Sequence, residues 1–155
     1  MSSTSTGGSG PGPQGGGAGH RGVPHTADLR IEAWGPTRER CVAEAVAGLV
    51  ECFADTAGVE PLRTVPVEVA PGPDADMLVT VLDEVIYRLE VHGEVVLGAE
   101  ITGAPGGGLA ARLTVGDAAR AAAVGAVPKA VSLHDLRFGR DRKTGGRTCA
   151  VTVDV

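Results

Sequence analysis

The feature that most constrains the fold is the alternation of two kinds of apolar pattern along the chain. Residues 42–53 and 78–89 place apolar side chains at intervals of three and four, which is typical of amphipathic helices. Other segments have the alternating or apolar character of half-buried strands. These segments are 28–34, 65–69, 94–102, 109–115, 130–138 and 147–155. Two amphipathic helices and about six strands, joined mostly by hairpins, predict an α+β fold.

We expect this fold to be a two-layer sandwich. The two helices would cover one face of a mixed or mainly antiparallel sheet of about six strands. Gly35-Pro36 interrupts the first strand, and Thr37 stands where the first helix needs an N-cap. Gly93 follows the second helical pattern and predicts its end.

The first 22 residues differ in composition from the remainder of the chain. They consist mainly of Gly, Ser and Pro, and they contain no large apolar residue after Met1. Such a segment cannot bury enough apolar surface to offset the entropy lost on ordering. The sequence therefore predicts a disordered tail over residues 1–22 and a single domain over residues 23–155.

Charge and hydropathy narrow the classes of function. The net charge is −5 and the isoelectric point is about 5.3, which argues against a basic nucleic-acid footprint over the whole domain. A role in RNA metabolism would therefore depend on a protein partner. The chain has no apolar run of about 18 residues and no signal-peptide pattern, so we predict a cytoplasmic protein without a membrane span.

Several residues that could carry chemistry also have ordinary structural explanations. Cys41, Cys52 and Cys149 lie within apolar patterns and lack the spacing of metal ligands, which predicts buried thiols. Residues 106–108 are three glycines without a following Gly-Lys-Ser/Thr, so they predict a hairpin tip and not a P-loop. A basic turn is either a solvated hairpin or a docking patch for an acidic protein surface or an RNA strand. Its basic residues are Arg137, Arg140, Arg142, Lys143 and Arg147.

Two carboxylates stand at opposite ends of the predicted domain. Asp28 opens the first strand and Asp154 nearly closes the last, and the alternation places both off the core face. If these strands are neighbours, both side chains project from one surface, and the terminal carboxylate of Val155 could add a third ligand. Oxygen donors favour a hard cation such as Ca²⁺ or Mg²⁺. The alternative is that Asp28 marks a strand entrance and Asp154 belongs to a frayed terminus.

Two histidines and a lysine are further candidates. His25 and His134 flank predicted strands, where a histidine is commonly solvated or hydrogen-bonded. If both converged on Asp28, a transition-metal site would become plausible. Lys129 precedes a predicted strand and is either a solvated charge or a cation directed at a phosphate group.

The order of short motifs along the chain resembles that of the archease family from about His25 to Val155. The motifs are His25-Thr26-Ala27-Asp28, Trp34-Gly35, Glu84 with Tyr87, Lys129-Ala130-Val131-Ser132-Leu133-His134, and the terminal Asp154-Val155. The chain departs from the family pattern at Ser132, where threonine is usual, and at Pro128, where an aliphatic residue is usual. Neither departure removes a carboxylate.

The resemblance implies a specific role. Archeases are accessory proteins of the RtcB-type RNA ligase, which joins RNA ends in tRNA splicing and RNA repair. They promote guanylylation of the ligase by GTP and allow multiple turnover. The resemblance therefore implies an activator that meets RNA only through the ligase and has no catalytic activity of its own. It also implies a cation, Ca²⁺ or another divalent ion such as Mg²⁺, held by Asp28, Asp154 and Val155. Lys129, Asp28 and Asp154 would support activation of the partner.

Two alternatives from other functional classes remain open. One is a small divalent-metal-dependent hydrolase that uses Asp28, Asp154 and His25 with a metal-activated water. The other is a chaperone-like binding module. Turnover of phosphoesters without any ligase would favour the hydrolase, and client-independent holdase activity would favour the chaperone.

Overall fold

A computed structural model describes residues 17–24 and 28–155 of this chain. Within that part, nine strands and two α-helices follow one another. The strands are β1 (Gly19–Pro24), β2 (Asp28–Gly35), β3 (Ala54–Asp55), β4 (Arg63–Val69), β5 (Glu94–Gly103), β6 (Leu109–Asp117), β7 (Ala122–Ala123), β8 (Ala130–Arg140) and β9 (Arg147–Asp154). The helices are α1 (Arg38–Glu51) and α2 (Asp74–His92).

The strands form three antiparallel sheets. The largest has the order β1-β2-β9-β8, the second has the order β4-β6-β5, and β3 pairs with β7. The predicted α+β class and the antiparallel pairing are confirmed. The structure differs from the expectation in that the strands are divided among three sheets instead of forming one.

Both helices contact the four-stranded and the three-stranded sheet. Helix α1 contacts β1, β2 and β9 on one side and β5 on the other, while α2 contacts β4, β5 and β8. Leu49 of α1 and Leu82 of α2 are fully buried, as are Leu113 of β6 and Val151 of β9. The helices therefore share one core with both sheets, and they do not simply cover one face of a single sheet.

The ends of both helices follow local chemistry, as predicted. The Thr37 hydroxyl accepts a hydrogen bond from the Arg40 backbone N–H at 3.1 Å, which satisfies one free donor at the start of α1. Gly93 ends α2 in the left-handed conformation, with a φ of 63°, where glycine has no Cβ penalty.

Strand β1 corrects the predicted boundary of the disordered tail. Gly19–Pro24 pairs with β2, so residues 19–22 belong to the fold and the prediction is wrong for them. An edge strand is ordered by backbone hydrogen bonds to its neighbour, which an apolar pattern does not report. Residues 1–16 lie outside the described residues, and for them the tail remains a prediction.

His20 of β1 contacts two glutamates of helix α1. His20 Nδ1 lies 2.8 Å from a carboxylate oxygen of Glu44, and His20 Nε2 lies 2.7 Å from one of Glu51. Gly48 permits the close approach, because a Cβ there would lie 3.2 Å from the His20 Cβ. Burial alone would lower the pKa of His20, but hydrogen bonds and charge attraction from Glu51 and Glu44 outweigh it and raise the pKa above its ordinary value.

This arrangement predicts that the contribution of His20 to stability depends on pH. A folded-state pKa above the unfolded value of about 6.5 gives stabilisation that is complete below that pH. The stabilisation is lost as the pH rises through the folded-state pKa. We therefore expect the thermal midpoint of wild type to be higher than that of His20→Gln. The difference should be largest at low pH and should shrink as the pH rises to about 9.

The control is the same substitution in a Glu44→Gln/Glu51→Gln background, which lacks the two carboxylates that contact His20. In that background the difference in thermal midpoint should lose most of its dependence on pH. A difference between wild type and His20→Gln that does not change over the titration would contradict a protonated His20 held between two glutamates.

Candidate functional site at one end of the four-stranded sheet

The two carboxylates predicted from the sequence lie directly opposite each other. Asp28 of β2 pairs in register with Asp154 of β9, and Asp154 pairs on its other side with Ala130 of β8. Directly opposite residues of an antiparallel pair have Cβ atoms about 4.5–5.5 Å apart and project from the same face. The neighbouring strands on which the predicted cation site depends are therefore present.

These carboxylates lie on the face of the sheet that points away from the core. On β2, Ile31 and Ala33 are 1% exposed, and on β9, Val151 and Val153 are fully buried. Asp28 and Asp154 have the opposite parity, and they are half-buried and exposed respectively. The parity that the sequence indicated is confirmed.

Two further residues predicted for the site, Lys129 and Val155, lie next to Asp154. The Lys129 backbone N–H donates to the Asp154 carbonyl oxygen at 2.8 Å, and the Lys129 side chain is exposed. Val155 directly follows Asp154 and is half-buried, so it lies beside the carboxylate pair. The structure thus brings Asp28, Asp154, Val155 and Lys129 to one end of the sheet.

Asp28 and Asp154 supply only part of the ligand set that a divalent cation needs. Within residues 17–24 and 28–155, neither Asp28 nor Asp154 forms an ion pair, and no three side chains of the His, Cys, Asp and Glu types are grouped as a metal site. The side chains alone therefore supply two carboxylates. A hard cation fits this set only if the terminal carboxylate of Val155 or other oxygens complete it.

The two candidate histidines have different outcomes. His25 lies outside the described residues, so its predicted role remains untested. His134 lines a cleft of about 450 Å³ together with Asp28, and its Nε2 lies 3.3 Å from a carboxylate oxygen of Asp135. The imidazole of His134 thus shares a cleft with one of the two carboxylates.

The cleft owes its shape to a bulge in β8 that the sequence analysis missed. The register against β9 shifts between Ser132 and Arg137, where β8 contains more residues than the facing part of β9. Asp135 within this bulge has a φ of 56°, the left-handed conformation that Asp adopts more readily than most residues. Bulges of this kind redirect side chains and are common beside functional sites.

The cleft also contains two arginines that sequence reasoning did not assign to it. Arg30 Nη1 donates to the Asp135 carbonyl oxygen and to the Thr152 hydroxyl, each at 3.3 Å. Arg137 lines the cleft from β8, although the sequence analysis grouped it with the basic turn that follows. The alternation that places Asp28 off the core face places Arg30 there too, so a parity argument could have found it.

The motif residues Glu84 and Tyr87 of α2 do not line this cleft. The Glu84 carboxylate accepts a hydrogen bond from Arg88 Nε at 2.8 Å, and Arg88 Nη1 lies 3.5 Å from a carboxylate oxygen of Glu94. The Glu94 carboxylate also forms an ion pair with Arg63, with 2.7 Å between Glu94 Oε2 and Arg63 Nη2. Glu84 therefore belongs to a charge network that ties α2 to β5 and β4.

The cysteines show no sign of metal or nucleophilic chemistry. Cys41 and Cys149 are buried, as predicted, whereas Cys52 is half-buried. The thiol of Cys41 donates to Cys149 Sγ at 3.5 Å, and this contact together with burial raises the pKa of Cys41. Burial raises the pKa of Cys52 to about 11. Thiols in such surroundings are poor nucleophiles.

The chain is similar to known proteins over most of its length. The model of the "Archease protein family (MTH1598/TM1083)" matches residues 20–155. The chain belongs to the archease family. A "Probable protein archease" of Mycobacterium tuberculosis is 47% identical over 138 residues, which cover 89% of this chain and 75% of that protein. A "Protein archease" of Archaeoglobus fulgidus is 29% identical over 138 residues, covering 88% and 98% respectively.

A solved structure supports the fold of this archease. The solution structure of Methanobacterium thermoautotrophicum protein 1598 superimposes with a TM-score of 0.68 at 21% identity, covering 88% of this chain and 99% of that one. At this identity the likeness shows the fold alone. Neither helix among the described residues is long and apolar enough to cross a membrane.

The opposed carboxylates predict an unusual response to mutation. In EDTA, Asp28→Asn and Asp154→Asn should each raise the free energy of unfolding, by about 0.2–1 kcal/mol, because each removes a like-charge pair. The double variant should gain less than the sum, since either substitution alone ends the repulsion. Denaturant unfolding measures all three values, with Asp141→Asn in an exposed turn as the control. A loss of stability in both single variants would contradict this arrangement.

Proposed function

We propose that this archease is an activator of an RtcB-type RNA ligase. It would promote GTP-dependent guanylylation of the ligase and allow multiple turnover in tRNA splicing or RNA repair. It would act in the cytoplasm, would have no catalytic activity of its own, and would meet RNA only through the ligase. Family membership supports this proposal, and the observation that carries it is the meeting of Asp28, Asp154 and Lys129 at one end of a sheet.

The carboxylates would serve this function by holding a divalent cation, Ca²⁺ or another such as Mg²⁺. Asp28, Asp154 and the terminal carboxylate of Val155 would be its ligands. When bound, the cation would neutralise the clustered negative charge and offer positive charge to phosphate oxygens. The opposed register of the two aspartates and their lack of an ion pair within the described residues favour this use.

Lys129 would contribute a second positive charge at the same end of the sheet. Its backbone is held against β9 by the hydrogen bond to Asp154, while its side chain remains exposed. An exposed ammonium group on a fixed backbone can reach a phosphate group or an acidic surface of a partner. The chain would thus present a cation site and a lysine together to the nucleotide-loading site of the ligase.

Cation binding predicts a gain in stability that the carboxylate variants lose. Ca²⁺ at about 100 times its dissociation constant should stabilise the wild-type fold by about 2.7 kcal/mol, because it binds only the folded state. Asp28→Asn and Asp154→Asn should abolish both this gain and the acceleration of ligase guanylylation. Thermal unfolding with and without Ca²⁺, and labelling of the ligase with radioactive GTP, measure the two effects.

Asp141→Asn is the control for both assays, since Asp141 lies in the exposed turn between β8 and β9. A chain extended at its C-terminus should behave like the Asp variants, because the terminal carboxylate is moved from Val155. Full activation of the ligase by both Asp variants would refute the proposed site.

Lys129 predicts a loss of activation without a loss of stability. Lys129→Ala should weaken guanylylation of the ligase, while the free energy of unfolding stays within about 0.5 kcal/mol of wild type, because the side chain is exposed. The other lysine of the chain, Lys143, supplies the matched variant Lys143→Ala. Equal activation by the two variants would return Lys129 to the role of a solvated charge.

A further inference from the structure

The outward face of the four-stranded sheet contains a trough that follows β9. Small side chains stand along that strand at Thr148, Ala150 and Thr152. Their partners on β2 are the larger Trp34, Glu32 and Arg30, and their partners on β8 are Gly139, Arg137 and Ser132. Ala150 and Thr152 are each only 8% exposed, although they lie on the face opposite the core. The β2 side chains therefore form a wall along one side of the strand, and Arg137 is the one large side chain among the three partners on the β8 side.

Two adjoining cavities make up this trough. The first, of about 250 Å³, contains Trp34 and Arg21, and the second, of about 450 Å³, contains Asp28 and His134. Arg30 and Arg137 line both cavities, so they stand where the two join. The trough thus has Trp34 at one end, two arginines in the middle, and Asp28, His134 and Asp135 at the other end.

The charged side chains of the trough differ in whether they form ion pairs. Arg21 is paired with Glu32 and lies over the Trp34 ring, 5.4 Å from its centre. Arg30 and Arg137 have no ion pair within residues 17–24 and 28–155. Arg30 is oriented by two neutral oxygens, and it shares its cavity with the carboxylates of Asp28 and Asp135.

We propose that Arg30 and Arg137 form a phosphate-binding subsite in this trough, which takes the phosphate groups of a free nucleotide whose base can reach Trp34. A guanidinium group matches the geometry of phosphate oxygens and can donate two hydrogen bonds to them. The half-buried position of Arg30 strengthens such bonds relative to those of a fully solvated arginine. This binding belongs to the isolated chain and goes beyond the activation of a ligase.

The carboxylates should control the affinity of this subsite. Asp28 lines the same cavity as the arginines, so its charge repels a phosphate group unless it is neutralised. A divalent cation at the carboxylates would remove this repulsion, and by linkage each ligand would then tighten the binding of the other. Asp28→Asn removes the same charge without any cation, which separates this inference from the proposed metal site.

The experiment titrates the full-length isolated protein with GTP, with an oligoribonucleotide bearing a 3′-phosphate, and with the same oligonucleotide bearing a 3′-hydroxyl. Isothermal calorimetry gives the dissociation constant, and quenching of Trp34, the only tryptophan of the chain, places the ligand at the trough. Arg30→Gln and Arg137→Gln should each weaken binding by about tenfold or more, the effect of losing a charge-assisted hydrogen bond. Arg142→Gln, in the exposed turn, should not.

Each outcome of these titrations either supports or overturns the proposed subsite. Preference for GTP over both oligonucleotides supports a nucleotide subsite, and preference for the oligonucleotide with the 3′-phosphate over GTP would overturn it. Asp28→Asn in EDTA should tighten binding of the preferred probe. Binding that is equally weakened by Arg142→Gln, or that is unaffected by either trough variant, would overturn the proposal. Millimolar or weaker binding of all three probes would also overturn it.

Discussion

The candidate site depends on the antiparallel pairing of β2 with β9. This ladder runs from Asp28 opposite Asp154 to Gly35 opposite Arg147, and it joins the beginning of the domain to the end of the chain. A slip of one residue would turn the buried Val151 and Val153 outward, so burial of the core face excludes every register that differs by an odd number of residues. Once the register is determined, the two aspartates must face each other.

Opposed carboxylates are unfavourable as local structure, and this helps to locate the function. A fold that needed only stability would avoid two like charges at directly opposite positions. Violations of local preference tend to occur where a protein binds or reacts. The same end of the sheet holds Lys129, whose backbone is bonded to Asp154, and the chain is an archease by sequence. The unfavourable pair is therefore the natural centre of the proposed activator site.

The outward face of the sheet adds a cleft and two arginines to that site. The bulge in β8 opens the cleft, and the Asp135 carbonyl within it accepts a hydrogen bond from Arg30. Small residues on β9 leave room beside the larger side chains of β2 and Arg137 of β8. Negative and positive side chains are thereby placed in sequence along one trough. Such an order of charges suits a phosphate ligand accompanied by a cation.

The sequence by itself determined the two helices, most of the strands and the outward parity of Asp28 and Asp154, because local periodicity reports which face of an element is buried. It did not reveal β1, whose order comes from β2 and from the contacts of His20. Nor did it reveal the division into separate sheets, the bulge in β8, or the meeting of Arg30 with Arg137. These features arise from pairing between residues distant in the chain, and only the tertiary structure decides which strands become neighbours.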